Sequence, residues 1–211
     1  MAAPQLGSEA SVREFLTALA SADSTQGAVS AAAVTGAMGA SLLLMVASLP
    51  TTRSDSVDER KALLRAGAAL ADLQEQLIET IEGETLVKLF TARNMPQASQ
   101  AEQSKREAAI QLALRSAADV PLEIIRLCAL GLQQAKTVAA SCSRAAGSEV
   151  ELAVALLRVA LTGARSNLEA RLSSLIDVVY TKAVVEEMAR LGDEAMTAAR
   201  AAETSVQPPP A

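Results

Sequence analysis

Residues 24–52 read STQGAVSAAAVTGAMGASLLLMVASLPTT, and no charged residue occurs between Asp23 and Arg53. Such a stretch is typical either of a membrane-spanning helix or of a central helix that other helices surround on every side. A membrane span needs about 20 consecutive apolar residues, and residues 31–49 would meet that length. The first half is only weakly hydropathic, however, and the basic flanks that orient a membrane span are missing. The pattern therefore favours a buried helix that ends at Pro50, with no membrane span.

Small residues recur every four positions in this stretch, at Ala32, Gly36 and Ala40. On a helix they form a smooth stripe against which a neighbouring helix can pack closely. The stripe predicts an all-α fold, a bundle of long antiparallel helices around a buried central helix rich in Ala and Gly.

Composition supports one helical domain. The chain has 211 residues, half of them apolar, yet it contains only one Tyr, two Phe and no Trp. Runs of Val and Ile bounded by turn signals, which would indicate strands, do not occur. The net charge of −5 argues against nonspecific nucleic-acid binding. We expect a single helical domain over residues 11–204, with disordered tails at 1–10 and 205–211.

The absence of histidine limits the chemistry that the chain can perform. It excludes His-containing catalytic triads, imidazole general bases and His-ligated zinc, and we predict no metal site. Cys128 and Cys142 would lie about 21 Å apart on one helix, too far for a disulfide, so we expect free thiols in a reducing compartment.

Four Ser–Glu pairs with the spacing of a capping box indicate where helices begin. They are Ser11 with Glu14, Ser56 with Glu59, Ser99 with Glu102, and Ser148 with Glu151. With Gly and Pro as helix ends, the pattern predicts helices over 11–21, 29–49, 57–93 (bent at Gly83), 99–120, a helix resuming after Pro121, 148–166 and 177–204.

Polar residues that could form a site are few. Gly27 and Ser30 stand at the start of the uncharged helix, where backbone N–H groups favour an anion. Glu82 lies beside Gly83, and Asn167 follows an apolar run in which an amide would need partners. Each of these residues, like Ser148 and Glu149, also has an ordinary interpretation as a helix cap or a solvated surface residue. Spacing alone does not decide between this interpretation and a functional site.

Five segments together resemble a known family. They are EFLTALAS at 14–21, QGAVS at 26–30 before the uncharged helix, EGETLVKLFTARNMP at 82–96, REAAIQLALRSAADVPLE at 106–123 and SEVELAVALLRVALTGARSNL at 148–168. In this order, over about residues 11–200, they are similar to the cyclodeaminase domain of formiminotransferase-cyclodeaminase and to methenyltetrahydrofolate cyclohydrolases.

The resemblance implies an all-α homodimer that binds a tetrahydrofolate derivative as substrate and needs no metal. We expect a cytoplasmic location, and the sequence leaves an organelle open. The implied reaction is hydrolysis of 5,10-methenyltetrahydrofolate to 10-formyltetrahydrofolate, or cyclisation of formiminotetrahydrofolate with release of ammonia. It assigns the catalytic carboxylate to Glu82. The substrate-binding residues that it implies are Gly27, Ser30, Arg53, Ser148, Glu149 and Asn167.

The polar positions match the family pattern less well than the scaffold. Only Gly27 and Ser30 remain of a glycine-rich loop, Glu82 stands for an aspartate, and Arg171 stands for an asparagine. A Lys-rich stretch after the uncharged helix is reduced to Arg53. These departures leave an alternative open: a non-catalytic relative that serves as a structural or assembly subunit.

Overall fold

The computed structural model describes residues 11–21, 27–52, 56–80, 91–96 and 99–206, and every regular element within these ranges is helical. The α-helices are α1 (Val12–Leu19), α2 (Ala28–Ser48), α3 (Val57–Glu79), α4 (Gln100–Ser141), α5 (Gly147–Leu172) and α6 (Val178–Val206). A short 3₁₀ turn, Arg144–Ala146, precedes α5. The predicted tail at 1–10 lies outside the described residues, as do residues 207–211 of the predicted tail at 205–211. Residues 205 and 206 belong instead to α6, which ends two residues beyond the expected boundary at 204.

Contacts between helices fix their directions. Asp119 with Tyr180 and Arg126 with Glu187 both join α4 to α6 at a constant separation of 61 residues, so these two helices run parallel. Arg171 contacts Ala117 while Leu157 lies beside Gly131, so α5 runs antiparallel to α4. Helix α5 is likewise antiparallel to α2, and α3 to α4. Each long helix therefore reverses the direction of the one before it, which confirms the predicted antiparallel bundle.

Helix α2 lies against α3, α4 and α5 through its small residues. Ala33 and Ala40 are fully buried, and a Cβ on Gly39 would stand 2.9 Å from the Ala153 carbonyl oxygen. A Cβ on Gly36 would meet Cys128 Sγ and Leu77 Cδ1 at 3.1 Å each. In the described part of the chain α2 is the one helix long and apolar enough to cross a membrane. One side of it packs inside the bundle, whereas Met38 and Met45 on another side are exposed. The buried, Ala/Gly-rich central helix is confirmed.

Two predicted helix breaks differ from the structure. Helix α3 ends at Glu79, where Thr80 forms the C-cap, and residues 81–90, including Gly83, lie outside the described residues. The predicted break at Pro121 is wrong, because α4 is one continuous helix of 42 residues that includes this proline. Proline has no N–H for the carbonyl four residues earlier, and the Arg171 side chain supplies that donor to Ala117 instead.

Three of the four predicted N-terminal Ser residues cap their helices. Ser11 and Ser99 form complete capping boxes, and the Ser56 side chain accepts a hydrogen bond from the Glu59 N–H. The box at Ser148 is wrong. The 3₁₀ turn runs directly into α5, so the helix begins at Gly147 with Ala146 as its N-cap. Ser148 therefore lies already inside the first turn, where its hydroxyl donates to Glu149 Oε2 at 2.9 Å.

Both cysteines are free thiols. Cys128 is fully buried in the centre of α4, and this burial raises the pKa of its thiol to about 12. Cys142 is the C-cap of α4, and partial burial also raises its pKa.

Candidate functional site

Three of the predicted site residues meet where α2 begins, an end of the bundle that we call the site end. Gly27 is the N-cap of α2 and has no side chain to satisfy the N–H groups of the first turn. Ser30 lies in that turn and is half-buried. The N–H groups of a first helical turn and the positive end of the helix dipole give this end a local preference for anionic or electron-rich groups.

Asn167 reaches the site end from α5. A Cβ on Gly163 would lie 3.7 Å from Ala32 Cβ, and Asn167 stands one turn further along the antiparallel helix, towards Gly27. The half-buried Asn167 side chain donates from Nδ2 to the Gly163 carbonyl at 3.1 Å. This hydrogen bond fixes the side chain against its own helix, beside the start of α2.

The predicted catalytic residue, Glu82, lies outside the described residues. Helix α3 is antiparallel to α2, so Thr80 at its C-terminal end lies at the site end. The Thr80 hydroxyl donates to the Leu77 carbonyl at 2.7 Å and closes the helix there. The chain thus enters the segment that contains Glu82 from the same end as Gly27 and Asn167.

Two other predicted residues, Ser148 and Glu149, lie at the opposite end of the bundle. Ser148 and Glu149 lie in the first turn of α5, where Gly147 is in contact with Val206 at the end of α6. Arg53 lies outside the described residues; Thr52 before it is held at this end by a hydrogen bond to the Val46 carbonyl. Within one chain the structure does not bring Ser148 and Glu149 to Gly27, Ser30 and Asn167.

One continuous uncharged surface connects the two ends. Glu149 and Asn167 are 18 residues apart on α5, which is five turns and about 27 Å along one side of the helix. We call the surface between them the α2–α5 face; its members are Val34, Met38 and Met45 on α2 and Leu152, Leu156 and Val159 on α5. Exposed large side chains on it include Met38 at 54% and Val159 at 63% of their full accessibility.

A polar cluster close to the site end was not predicted from the sequence. The Tyr180 hydroxyl donates to Asp119 Oδ1 at 2.6 Å, and the Arg115 guanidinium stacks 4.4 Å from the Tyr180 ring centroid. Burial, and then the bond to Asp119, raise the pKa of Tyr180, so the phenol remains a hydrogen-bond donor. Arg171 belongs to the same region and is half-buried. Burial lowers its pKa, and the hydrogen bond to Ala117 holds it in place.

No metal site marks the site end among the described residues. Within those ranges no group of three His, Cys, Asp or Glu side chains is placed to hold a metal ion. A shallow cavity of about 390 Å³ lies at the start of α6, between Leu175, Val178, Thr181 and Val185, and none of the predicted site residues lines it.

Comparison with known proteins identifies the family. The sequence profile described as formiminotransferase-cyclodeaminase matches residues 11–190. The chain belongs to this family. It is 30% identical over 190 residues to the methenyltetrahydrofolate cyclohydrolase of Methylorubrum extorquens, covering 87% of this chain and 89% of that enzyme. It is 28% identical to the formimidoyltransferase-cyclodeaminase of Sus scrofa, of which it spans only 38%.

The family membership agrees with the fold. The crystal structure of the formiminotetrahydrofolate cyclodeaminase from Thermotoga maritima superposes with a TM-score of 0.82, covering 94% of this chain and 96% of that one. At 21% identity this match bears on the fold alone. It places this member of the formiminotransferase-cyclodeaminase family in the same helical architecture.

Proposed function

We propose that this chain is a folate-dependent one-carbon enzyme that hydrolyses 5,10-methenyltetrahydrofolate to 10-formyltetrahydrofolate. The observation that carries the proposal is its similarity, over most of both chains, to a cyclohydrolase of comparable length. The names of the relatives favour an enzyme over a non-catalytic assembly subunit. A cytoplasmic location is part of the proposal, because both cysteines are free thiols.

Cyclisation of formiminotetrahydrofolate with release of ammonia is the second candidate. The family profile and the superposed Thermotoga protein both carry the cyclodeaminase name. The Methylorubrum relative is the more similar in sequence, so we rank hydrolysis first.

The two reactions require the same contribution from the protein, which is to stabilise a cationic centre and to move a proton. In hydrolysis, water adds to the cationic methenyl carbon and loses one proton; the remaining hydroxyl proton then moves to N5 as the carbon–N5 bond of the imidazoline ring breaks. In cyclisation, the second folate nitrogen attacks the formimino carbon and ammonia leaves. Each passes through a cationic, amidinium-like centre, which a carboxylate can stabilise while it moves a proton. We assign that role to Glu82, and assign substrate binding to Gly27, Ser30, Arg53, Ser148, Glu149 and Asn167.

The separation of these residues supports a homodimer. In a two-fold symmetric dimer the same face of both copies meets, and an axis perpendicular to α2 makes the paired helices antiparallel. If the α2–α5 faces meet in this way, Ser148 and Glu149 of one copy lie beside Gly27, Ser30 and Asn167 of the other. The uncharged Met, Leu and Val side chains of the face are suited to burial in such an interface. The proposed dimer then holds two composite sites.

An absorbance assay tests the activity. We expect the purified protein to remove the near-ultraviolet absorbance of 5,10-methenyltetrahydrofolate faster than buffer alone. Glu82→Gln should reduce the rate by about a hundredfold or more, the scale of general acid–base catalysis. Glu84→Gln is the matched control and should retain the wild-type rate. Ammonia release from formiminotetrahydrofolate, measured in parallel, distinguishes the second candidate.

A non-catalytic role predicts a different result. A folded wild-type protein that turns over neither substrate and binds no 5-formyltetrahydrofolate would contradict the proposal and leave the assembly subunit as the explanation. Equal loss of activity in the Glu82→Gln and Glu84→Gln variants would contradict only the assignment of Glu82.

A further inference from the structure

Helix α4 is longer than the helices around it, and its first part projects from the site end. The contact of Arg171 with Ala117 and that of Tyr180 with Asp119 place the end of α5 and the start of α6 at the level of residues 117–119. Residues 100–116 of α4 therefore continue beyond both helices, for about 25 Å. We call these residues the arm.

The arm joins the bundle at Pro121, where a helix would ordinarily kink. Proline removes one hydrogen bond and its ring crowds the carbonyl four residues earlier. That carbonyl belongs to Ala117, which is only 2% exposed, so water cannot readily replace the missing donor. Arg171 Nη1 donates to it at 2.8 Å from the neighbouring helix. The Arg171 side chain thus satisfies a buried acceptor that the sequence of α4 leaves open.

The arm in turn contacts the segment that leads to the candidate acid. Arg106 Nε on the arm donates to the Arg93 carbonyl at 3.1 Å, and Ala92 beside it is buried. Residues 91–96 directly follow the segment 81–90, which includes Glu82. The base of the arm is also tied to the start of α6, because Arg115 Nη1 lies 3.4 Å from Asp177 Oδ2.

We propose that Arg171 is a positioning residue that completes the hydrogen bonding of α4 across Pro121 and thereby fixes the direction of the arm. Through the arm it holds residues 91–96, and with them one end of the segment that contains Glu82. The link from the arm to Glu82 rests on the proposed function, whereas the coupling of Arg171 to Pro121 does not.

Hydrogen exchange measures the effect on the arm. We expect Arg171→Met to accelerate amide exchange about tenfold in peptides that cover residues 113–124, the factor expected for losing one hydrogen bond to a charged group. Peptides that cover residues 130–141, in the buried half of the same helix, should change much less. Arg165→Met is the matched control, because Arg165 lies on α5 and, among the described residues, forms its ion pair with Glu169 on an exposed surface of the same helix. Equal exchange in the two variants at residues 113–124 would refute the role of Arg171.

Replacing the proline supplies the decisive control. Pro121→Ala restores an N–H that can bond to the Ala117 carbonyl within α4. The shift in urea midpoint caused by Arg171→Met should therefore fall to less than about half in the Pro121→Ala background, as expected for two groups that share one acceptor. The same shift in both backgrounds would overturn the proposal. Should Arg171→Met fail to fold, Arg171→Lys, which keeps a cationic donor, is compared in the two backgrounds instead.

Kinetics test the link to the candidate acid. If the proposed activity is present, Arg171→Met should lower kcat for 5,10-methenyltetrahydrofolate while KM changes little, because substrate-binding groups at the start of α2 are untouched. An unchanged kcat in a variant whose arm exchanges faster would refute the link to Glu82. If the wild type proves inactive, the exchange and urea measurements still decide the coupling of Arg171 to Pro121.

Discussion

Two glycines on opposite sides of the contact between α2 and α5 have very different surroundings. A methyl group on Gly39 would stand 2.9 Å both from the Ala153 carbonyl oxygen and from Leu157 Cγ. A methyl group on Gly163 would lie 3.7 Å from Ala32 Cβ, which is an ordinary van der Waals contact. Because a backbone carbonyl cannot rotate away, the two helices would have to separate at Gly39 but not at Gly163.

This contrast gives a prediction for the two alanine variants. Gly39→Ala gains about 1 kcal/mol of helix propensity, but overpacking a core costs about 1–3 kcal/mol. We expect the free energy of unfolding to fall by up to about 2 kcal/mol, because the obstacle is backbone. Gly163→Ala should leave it unchanged or raise it by up to about 1 kcal/mol. Urea denaturation measures both, and a Gly39→Ala variant as stable as Gly163→Ala would show that the helices are not in close contact.

Residue patterns that act within one turn could be predicted from the sequence. The capping boxes at Ser11 and Ser99 are correct because both partners lie three residues apart in a single chain segment. The bond between Arg171 and Ala117 spans 54 residues, and no local pattern indicates it. Pro121 was the only available signal, and its meaning depends on whether a neighbouring helix supplies a donor.

At the scale of helices, one arginine joins α4 to α6. Arg126 donates from Nε and Nη2 to the two carboxylate oxygens of Glu187, at 2.8 and 2.9 Å, and from Nη1 to Glu123. The hydrogen bonds from Arg126 hold the pKa of Glu187 below its ordinary value. Both side chains remain partly exposed, so solvent screens the pair and its contribution to stability is modest.

The lowered pKa determines the pH dependence of that contribution. A carboxylate whose pKa is lower in the folded state stabilises the protein above its unfolded pKa, and this stabilisation is lost as the pH falls through the folded pKa. At pH 7 we expect Arg126→Met to be less stable than wild type by about 1 kcal/mol or less. The difference should shrink below about pH 4, as Glu187 becomes protonated.

Urea midpoints of both proteins at pH 7 and pH 3 test this expectation. Arg165→Met, which breaks a pair within one exposed helix, should change the midpoint less at pH 7. A destabilisation by Arg126→Met that is as large at pH 3 as at pH 7 would assign the effect to lost packing of the arginine stem.

The sequence predicted which helices exist more reliably than the residues at which they begin and end. The buried helix was expected over 29–49 and runs over Ala28–Ser48 because its composition admits no other element. The start of α5 was misplaced because the 3₁₀ turn before it already has the geometry to continue into a helix. A Ser–Glu pair of the correct spacing cannot reveal that the chain was helical before it.

At the scale of the whole molecule, the composite site has a consequence for mixed dimers. Asn167 and Glu149 lie at opposite ends of the α2–α5 face, so in the proposed dimer each site takes Asn167 from one copy and Glu149 from the other. A heterodimer of Asn167→Ala and Glu149→Gln subunits would hold one site with both residues intact and one with both replaced. Mixing the two inactive proteins should therefore restore activity.

Unfolding and refolding the two variants together is the measurement. Random pairing makes about half of the dimers mixed, and each mixed dimer has one of two sites intact, so about a quarter of the wild-type activity should return. Activity that stays at the level of the separate variants, in a mixture shown by mass spectrometry to contain heterodimers, would contradict the composite site. Met38→Asp, in the middle of the face, should produce monomers, whereas Val179→Asp, on the exposed start of α6, should not.

The sequence indicated which residue types could serve the site but not their arrangement. A helix of 26 residues carries Ser148, Glu149 and Asn167 in one continuous segment. Their distance along it could have been calculated as soon as that helix was accepted. What could not be obtained was the direction of α5 relative to α2, which places Asn167 beside Gly27 and leaves Glu149 at the far end.

The buried thiol of Cys128 can report how often the helical bundle opens. Its sulfur lies where α2, α3 and α4 converge, against Gly36, and neither water nor a reagent reaches it while these helices stay together. Any alkylating agent that marks this sulfur has entered after the central helix moved away from its neighbours. The rate of modification at Cys128, distinguished by peptide mass spectrometry from that of the partly exposed Cys142, therefore reports how often the bundle separates in the unsubstituted protein.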